Sequence, residues 1–276
     1  MIEIPEALTL ASQIKQTINE KQIANVVAGQ TPHKFAWYHG DPQKYRELLV
    51  GKTINMATAI GGIVDIKADN ATILISDGVT FRYHKQGEKR PRKHQLLLEF
   101  NDCSAVSATV QMYGGMWCFI DEDEFKYPYY KIAKEKPSPL SNEFSRPYFD
   151  RLISSHTVQK LSVKAFLATE QRIPGFGNGV LQDILWKAKV HPKRKINTLN
   201  DENKEVLYSM IKAVLFEMTK LGGRDTEKDL TGYNGGYKTI MSKNSVGSSC
   251  ISCGGNIKKG NFLGGSIYYC ENCQLL

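Results

Sequence analysis

Four cysteines close the chain as two pairs, Cys250-Ile251-Ser252-Cys253 and Cys270-Glu271-Asn272-Cys273, with sixteen residues between them. Each CxxC pair brings two sulfurs to one point. Two pairs at this separation on a β-hairpin suit a closed four-thiolate site, the pattern of a structural zinc ion. A module of about 30 residues cannot bury enough apolar surface to fold alone, so the metal would supply its folding energy. Gly254, Gly255, Gly260, Gly264 and Gly265 suit the turns of such a hairpin. Two disulfides or a redox pair are the competing readings, and an intracellular location disfavours the first. With no open coordination position the expected zinc is structural. Cys103 and Cys118 stand apart and are expected to be reduced core residues.

The stretch Ser162–Pro192 reads as helix, stop, glycine-rich turn, helix. Val163, Phe166 and Leu167, then Val180, Ile184 and Leu185, are apolar at helical spacing on either side of Ile173-Pro174-Gly175-Phe176-Gly177-Asn178. Gly175 and Gly177 leave little bulk above the backbone, so another chain can come close. Asn178 is placed to cap the second helix, whose free N–H groups suit an anion such as phosphate. Lys187, Lys189, Lys193, Arg194 and Lys195 follow, and an anion-seeking turn beside a basic cluster points to a nucleic-acid backbone. A helix hairpin with a solvated basic tail reads equally well from this stretch alone.

Charge placement favours the first reading. Residues 1–150 hold 18 Lys+Arg and 18 Asp+Glu, while residues 151–276 hold 18 and 10, so the whole excess of +8 lies in the second part. A polyanionic partner explains that asymmetry and solubility does not. No apolar run reaches membrane-spanning length, and the start lacks a basic-then-apolar signal pattern, so no membrane partner and a cytoplasmic location are expected.

Ahead of this lies β structure. Pro5, Glu6 and the apolar series Ala7, Leu10, Ala11, Ile14, Ile18 predict a helix over residues 5–20. Eight short β-prone runs follow, at residues 26–27, 54–56, 63–66, 73–75, 80–83, 96–100, 106–110 and 117–120. They are separated by turn signals such as Gly61-Gly62, Asp69-Asn70, Asp77-Gly78 and Asn101-Asp102, which predicts a sandwich or barrel. Lys136-Pro137-Ser138-Pro139-Leu140 reads as an interdomain linker. Helical patterning resumes near Phe149, Leu152 and Ile153, and Asp201–Leu221 supplies a last helix stopped by Gly222-Gly223. Residues 224–245 are expected to be irregular.

Taken in order, these parts resemble the formamidopyrimidine-DNA glycosylase and endonuclease VIII family over nearly the whole chain. Glu3-Ile4-Pro5-Glu6 resembles its N-terminal motif and Pro139-Leu140-Ser141 its linker. Ile173–Asn178 with Val190-His191-Pro192 resembles its helix–two-turn–helix element, and the cysteines with Gln274 resemble its zinc finger. The resemblance implies an α+β multidomain protein. An N-terminal helix plus β-sandwich would span residues 1–134, a helix–two-turn–helix domain 135–232 and a zinc-finger β-hairpin 233–276. It further implies a monomer bound to double-stranded DNA carrying a damaged base or abasic site, working in the cytoplasm on the nucleoid, with the base turned out of the duplex for removal.

In that family a terminal proline, freed by loss of the initiator Met, attacks the sugar C1′ to form a Schiff base. The adjacent glutamate handles protons, and a hairpin lysine and a finger arginine hold phosphates. Here Ile2 stands in place of the proline, Gly62 in place of the lysine and Gly265 in place of the arginine. Gln111-Met112-Tyr113 replaces the Arg-Arg-Phe that fills the hole left by the extruded base, and Tyr113 could still stack. Glu3 and Glu6 are retained and, with Ile2, form the expected catalytic set. Gly175, Gly177, Asn178, Lys164 and Tyr113 form the expected DNA-binding set, in which Asn178 contacts phosphate, a role that competes with capping. Two readings follow: a glycosylase with altered lesion preference and doubtful lyase activity, or an inactive relative that binds distorted DNA. An RNA- or protein-binding zinc protein of similar shape is the third.

Overall fold

The computed structural model describes residues Met1–Leu276. Helix α1 (Ile4–Thr17) begins with Pro5 in its first turn and Glu6 at its positive end. Its two sides enter different cores. Ala7, Leu10, Ala11 and Ile14 pack with the strands, whereas Ile4 packs with the later helices.

One seven-stranded sheet follows: β1 (Ile23–Ala28), β2 (Ala36–Trp37), β3 (Ile54–Ile60), β4 (Ile63–Ala68), β5 (Ala71–His84), β6 (Leu96–Phe100) and β7 (Ala105–Phe119). The main path runs β1-β6-β7-β5-β4-β3, with β2 paired in parallel to β7. Strands β5 and β7 pair from Thr72↔Phe119 to His84↔Ala105, with a register shift between Asp77 and Val79. Before the shift β5 carries β4. Beyond it β7 carries β6. The ladder folds over at this bulge, and Ile66, Ile73 and Ile75 from one half share a core with Leu96, Leu98 and Val106 from the other. The expected sandwich is therefore two halves of one bent sheet.

This corrects the strand reading. The runs at residues 73–75 and 80–83 are one strand, as are 106–110 and 117–120. Asp77-Gly78 is no chain reversal: Asp77 takes φ +59, and the left-handed residue that suits a turn makes a bulge here. Cys118 is buried as expected, but Cys103 is exposed, at φ +62, in the β6–β7 turn. A short helix α2 (Tyr45–Leu49), not foreseen, buries Tyr45 and Leu49 in the same core.

After α3 (Pro128–Glu135) come α4 (Arg146–Ser154), α5 (Val163–Ala168), α6 (Asn178–Lys187) and α7 (Asp201–Lys220). Phe149, Phe166, Val180, Ile184, Ile211 and Leu215 form their core, each side chain contributing about 1.5–3 kcal/mol by burial. Asn200 caps α7 by accepting from Asn203 N at 2.8 Å. The irregular segment after Gly223 returns to the first lobe, where Tyr83 N donates to Leu230 O at 2.8 Å and Leu230 is buried in the sheet core. The hairpin β8 (Ile257–Phe262) and β9 (Gly265–Cys270) ends the chain. It is held to α6 by Tyr268 N donating to Gln182 Oε1 at 3.0 Å. No helix is long and apolar enough to cross a membrane.

Candidate active site and nucleic-acid interface

The entry of α1 fixes the first residues between the lobes. Ile2 N donates to Asp77 O at 2.6 Å and Ile4 N to Gly175 O at 3.1 Å, so the start of the chain is tied to the β5 bulge on one side and the glycine turn on the other. A cavity of about 510 Å³ opens there, lined among others by Glu3, Gly62, Tyr113, Lys164, Asn178 and Gly265. A second, of about 360 Å³, lies beyond Met1 and Ile2 against Glu6, Thr109 and Glu227. Seven expected site residues, Ile2, Glu3, Tyr113, Lys164, Gly175, Gly177 and Asn178, thus meet at one cavity, and the eighth, Glu6, lines its neighbour.

Glu3 sits at its floor, 2 % exposed. Gly179 N donates to its Oε1 and Val180 N to its Oε2, both at 2.8 Å. The carboxylate is therefore the anion at the N-terminus of α6. This corrects two expectations. Asn178 is the first residue of the helix and not its cap, and the free N–H groups thought to suit phosphate are taken by the protein's own acid. Asn178 Nδ2 instead donates to Ser266 O at 2.9 Å, and Lys164 Nζ to Phe262 O at 2.7 Å, so both bind the finger hairpin to the cavity wall. Burial lowers the Lys164 pKa from its ordinary value.

Sequence reasoning missed Arg224, which is 2 % exposed. Its Nε donates to Glu6 Oε1 at 2.9 Å and its Nη2 to Glu6 Oε2 at 2.8 Å, a two-point pair. Nη1 lies 3.6 Å from Glu3 Oε1, and Nη2 donates to Met1 O at 3.2 Å. Burial works against the arginine's charge, but Glu3 and Glu6 hold its pKa above the ordinary value. For Glu3, burial raises the carboxyl pKa, Arg224 opposes the rise and Glu6 adds to it. A proton is thus exchangeable at Glu3 closer to neutrality than at a surface glutamate. The only hint in the sequence was two acids at the chain start with no neighbouring base. Arg224 lies in an irregular segment without periodicity. Gly179 makes room for it: a Cβ there would fall 1.4 Å from Arg224 Nη1.

The amino terminus is engaged elsewhere, the Met1 amine forming an ion pair with Glu227. The close approach expected at Gly175 and Gly177 is made within the chain. A Cβ on Gly175, at φ +75, would lie 2.1 Å from Gly62 N, and one on Gly177 would lie 2.4 Å from Glu3 Cδ. At the chain's end the sulfurs of Cys250, Cys253, Cys270 and Cys273 all lie within 4.8 Å of one another and could hold a metal ion. The pairs Cys250–Cys273 at 3.7 Å and Cys253–Cys270 at 3.4 Å approach the edge of about 3.8 Å that four Zn–S bonds of about 2.3 Å imply.

The family model for the formamidopyrimidine-DNA glycosylase H2TH domain matches residues 136–229. A formamidopyrimidine-DNA glycosylase of Lactococcus lactis is 25 % identical over 279 residues, covering 99 % of both chains. One of Lactobacillus delbrueckii is 26 % identical over 286 residues and covers 99 % of both. Likeness to formamidopyrimidine-DNA glycosylases thus runs the whole length of the chain, and its middle part carries their H2TH domain. The fold of a solved Lactococcus lactis Fpg, in complex with abasic-site DNA, superposes with a TM-score of 0.83 over 99 % of this chain at 23 % identity.

Against the family pattern the glycines have a structural reason. Gly61 and Gly62 end the β3–β4 hairpin on the backbone of Pro174 and Gly175, and a Cβ on Gly62 would stand 3.1 Å from Gly175 Cα and 3.2 Å from Ile2 O. A family lysine there would make the turn give way by a few tenths of an ångström. A Cβ on Gly265 would lie 3.2 Å from Lys164 Nζ, so an arginine there would start beside the ammonium. Tyr113 lies within β7, its hydroxyl 3.6 Å from Met1 Sδ.

Proposed function

We propose that this protein is a base-excision-repair glycosylase, which binds duplex DNA bearing a damaged base in the cleft between its lobes and hydrolyses the N-glycosidic bond of the extruded base. It acts as a monomer on the nucleoid in the cytoplasm, and its four C-terminal cysteines hold one structural zinc ion. The observation that carries the reading is Glu3, buried at the floor of the interlobe cavity with its pKa raised and its orientation fixed by two backbone donors. Each carboxylate oxygen keeps a lone pair beyond those donors. Glu3 takes a proton from water as the water oxygen bonds to C1′, and the base leaves with the electrons of the broken bond and accepts a proton. Lys164 lines the cavity, and the excess of positive charge in residues 151–276 suits the phosphates of a strand.

A Schiff-base lyase step needs a free neutral amine aimed at the sugar. Ile2 N is bonded to Asp77 O and the Met1 amine is paired with Glu227, so strand cleavage is not expected while Met1 remains. One observation favours a second reading, a binder without chemistry: both Glu3 oxygens already accept from α6.

Duplexes carrying oxidised, alkylated or abasic sites separate the two. The glycosylase reading expects base release without a borohydride-trapped adduct, and loss of that release by at least about a hundredfold in Glu3→Gln with duplex binding kept. Because the base form of Glu3 is needed and its pKa is raised, the rate should climb with pH along an acid limb lying above 4.5. Wild-type protein that binds damaged duplex yet releases no base across the panel would establish the second reading. Intact mass shows whether Met1 is kept.

A further inference from the structure

Beside the mouth of the cavity an exposed aromatic ridge has no partner within the chain. Trp37 is 40 % exposed, Phe35 48 % and Met112 70 %. The Trp37 and Tyr113 rings lie 5.6 Å apart at 36°, and Lys34 Nζ stands 5.4 Å over the Phe35 ring. Its construction is specific. Strand β2 has two residues and pairs in parallel, Ala36↔Gly114 and Trp37↔Gly115, with Gly114 N donating to Phe35 O at 3.0 Å. The glycines after Tyr113 leave the backbone edge bare. A Cβ on Gly115 would strike the Trp117 ring at 1.9 Å, and one on Gly114 would meet Val79 Cγ2 at 2.6 Å. Strand β2 thus delivers one indole to the side of one tyrosine.

An indole stranded at a surface loses the contacts its area is built for, and a large exposed apolar patch marks a binding surface. The ridge is continuous with the cavity, because Met112 and Tyr113 line both it and the neighbouring pocket against Glu6 and Glu227. Flat rings flanked by a lysine suit a nucleobase with an open face, which stacks on any aromatic surface. A base loses its pairing partner when the nucleotide opposite is extruded. The ridge stands at the edge of the cavity that would receive the extruded nucleotide.

We infer that Trp37, docked against Tyr113 by strand β2, is the stacking wedge of this protein and receives the orphaned base opposite the extruded nucleotide. It adds a second ring beside Tyr113, where Gln111 and Met112 offer none. The inference rests on the DNA reading above and adds to it a specificity-determining residue from a segment with no other assigned role. Stacking is indifferent to hydrogen-bond pattern, so the wedge tolerates any opposite base and prefers the larger purines.

The test titrates wild type, Trp37→Phe and Trp37→Ala with a short duplex containing one tetrahydrofuran abasic-site analogue opposite 2-aminopurine, and with the intact duplex. Binding is read by anisotropy of an end label. Trp37→Ala should weaken binding to the abasic duplex about tenfold and to the intact duplex far less, while Trp37→Phe keeps most of the affinity. Wild type should quench 2-aminopurine on binding, and Trp37→Ala should leave it bright at saturation. Because Trp37 lies on the surface, thermal melts should match across the three proteins. Equal abasic-duplex affinity and equal quenching in wild type and Trp37→Ala would overturn the wedge and leave the glycosylase reading standing. Wild type that binds neither duplex would overturn that reading and the wedge with it.

Discussion

At Arg224 three charged side chains share a space from which water is almost excluded. Glu3 and Glu6 are each at most 5 % exposed, and the guanidinium between them is the one cation that makes their burial tolerable. Its removal leaves two carboxylates facing each other in a poor dielectric. Arg224→Met should therefore cost about 3–5 kcal/mol by denaturant titration, and Glu6→Gln in the same chain should recover part of it. A loss under about 1 kcal/mol in Arg224→Met would show that the acids are solvated after all. The arrangement also separates the two acids by role. Glu6 holds both arms of the arginine, while Glu3 faces the cavity with only a 3.6 Å approach from the same group.

The β3–β4 hairpin and the glycine turn before α6 act as one element, since they touch backbone to backbone. Gly62→Lys, which would rebuild the family residue, should lower stability by about 1–3 kcal/mol and give no gain in duplex affinity. A gain in affinity with unchanged melting would mean that the contact at Gly175 opens freely. The glycine pair was legible in the sequence as a turn, and its position matched the family lysine. What it touches was not legible, because the contact joins residues more than a hundred positions apart. The same holds for the bulge at Asp77: local chemistry announces a left-handed residue, and only strand pairing decides between a reversal and a bulge. The gathering of the four cysteines at one point and the two helices around Phe176 were legible because ligand spacing and helical periodicity are local signals. Arg224 and Trp37 were missed because neither periodicity nor motif marks them, and both acquire their partners only through tertiary packing.

Across the whole molecule the finger hairpin is held by a handful of polar ties and a small cluster around Met241, Ile257 and Trp186, with four cysteines placed to hold a metal ion, while the two larger cores include none of its strand residues. Chelation should therefore unfold residues near 246–276 and leave both lobes intact. Circular dichroism should change little, duplex affinity should collapse because Lys164 and Asn178 lose Phe262 O and Ser266 O, and one zinc per chain should restore it. Loss of the whole cooperative melt on chelation would contradict this division. Helix α1 couples the remaining two bodies, with Ile4 seated among the helices and Ala7, Leu10 and Ile14 among the strands. A rod anchored at both shoulders of a hinge cannot slide independently of either. Glu3 and Ile4 are fastened to the α6 side, so any parting of the two bodies would be felt at the strand-facing side of α1, and the carboxylate would keep its seat on Gly179 and Val180.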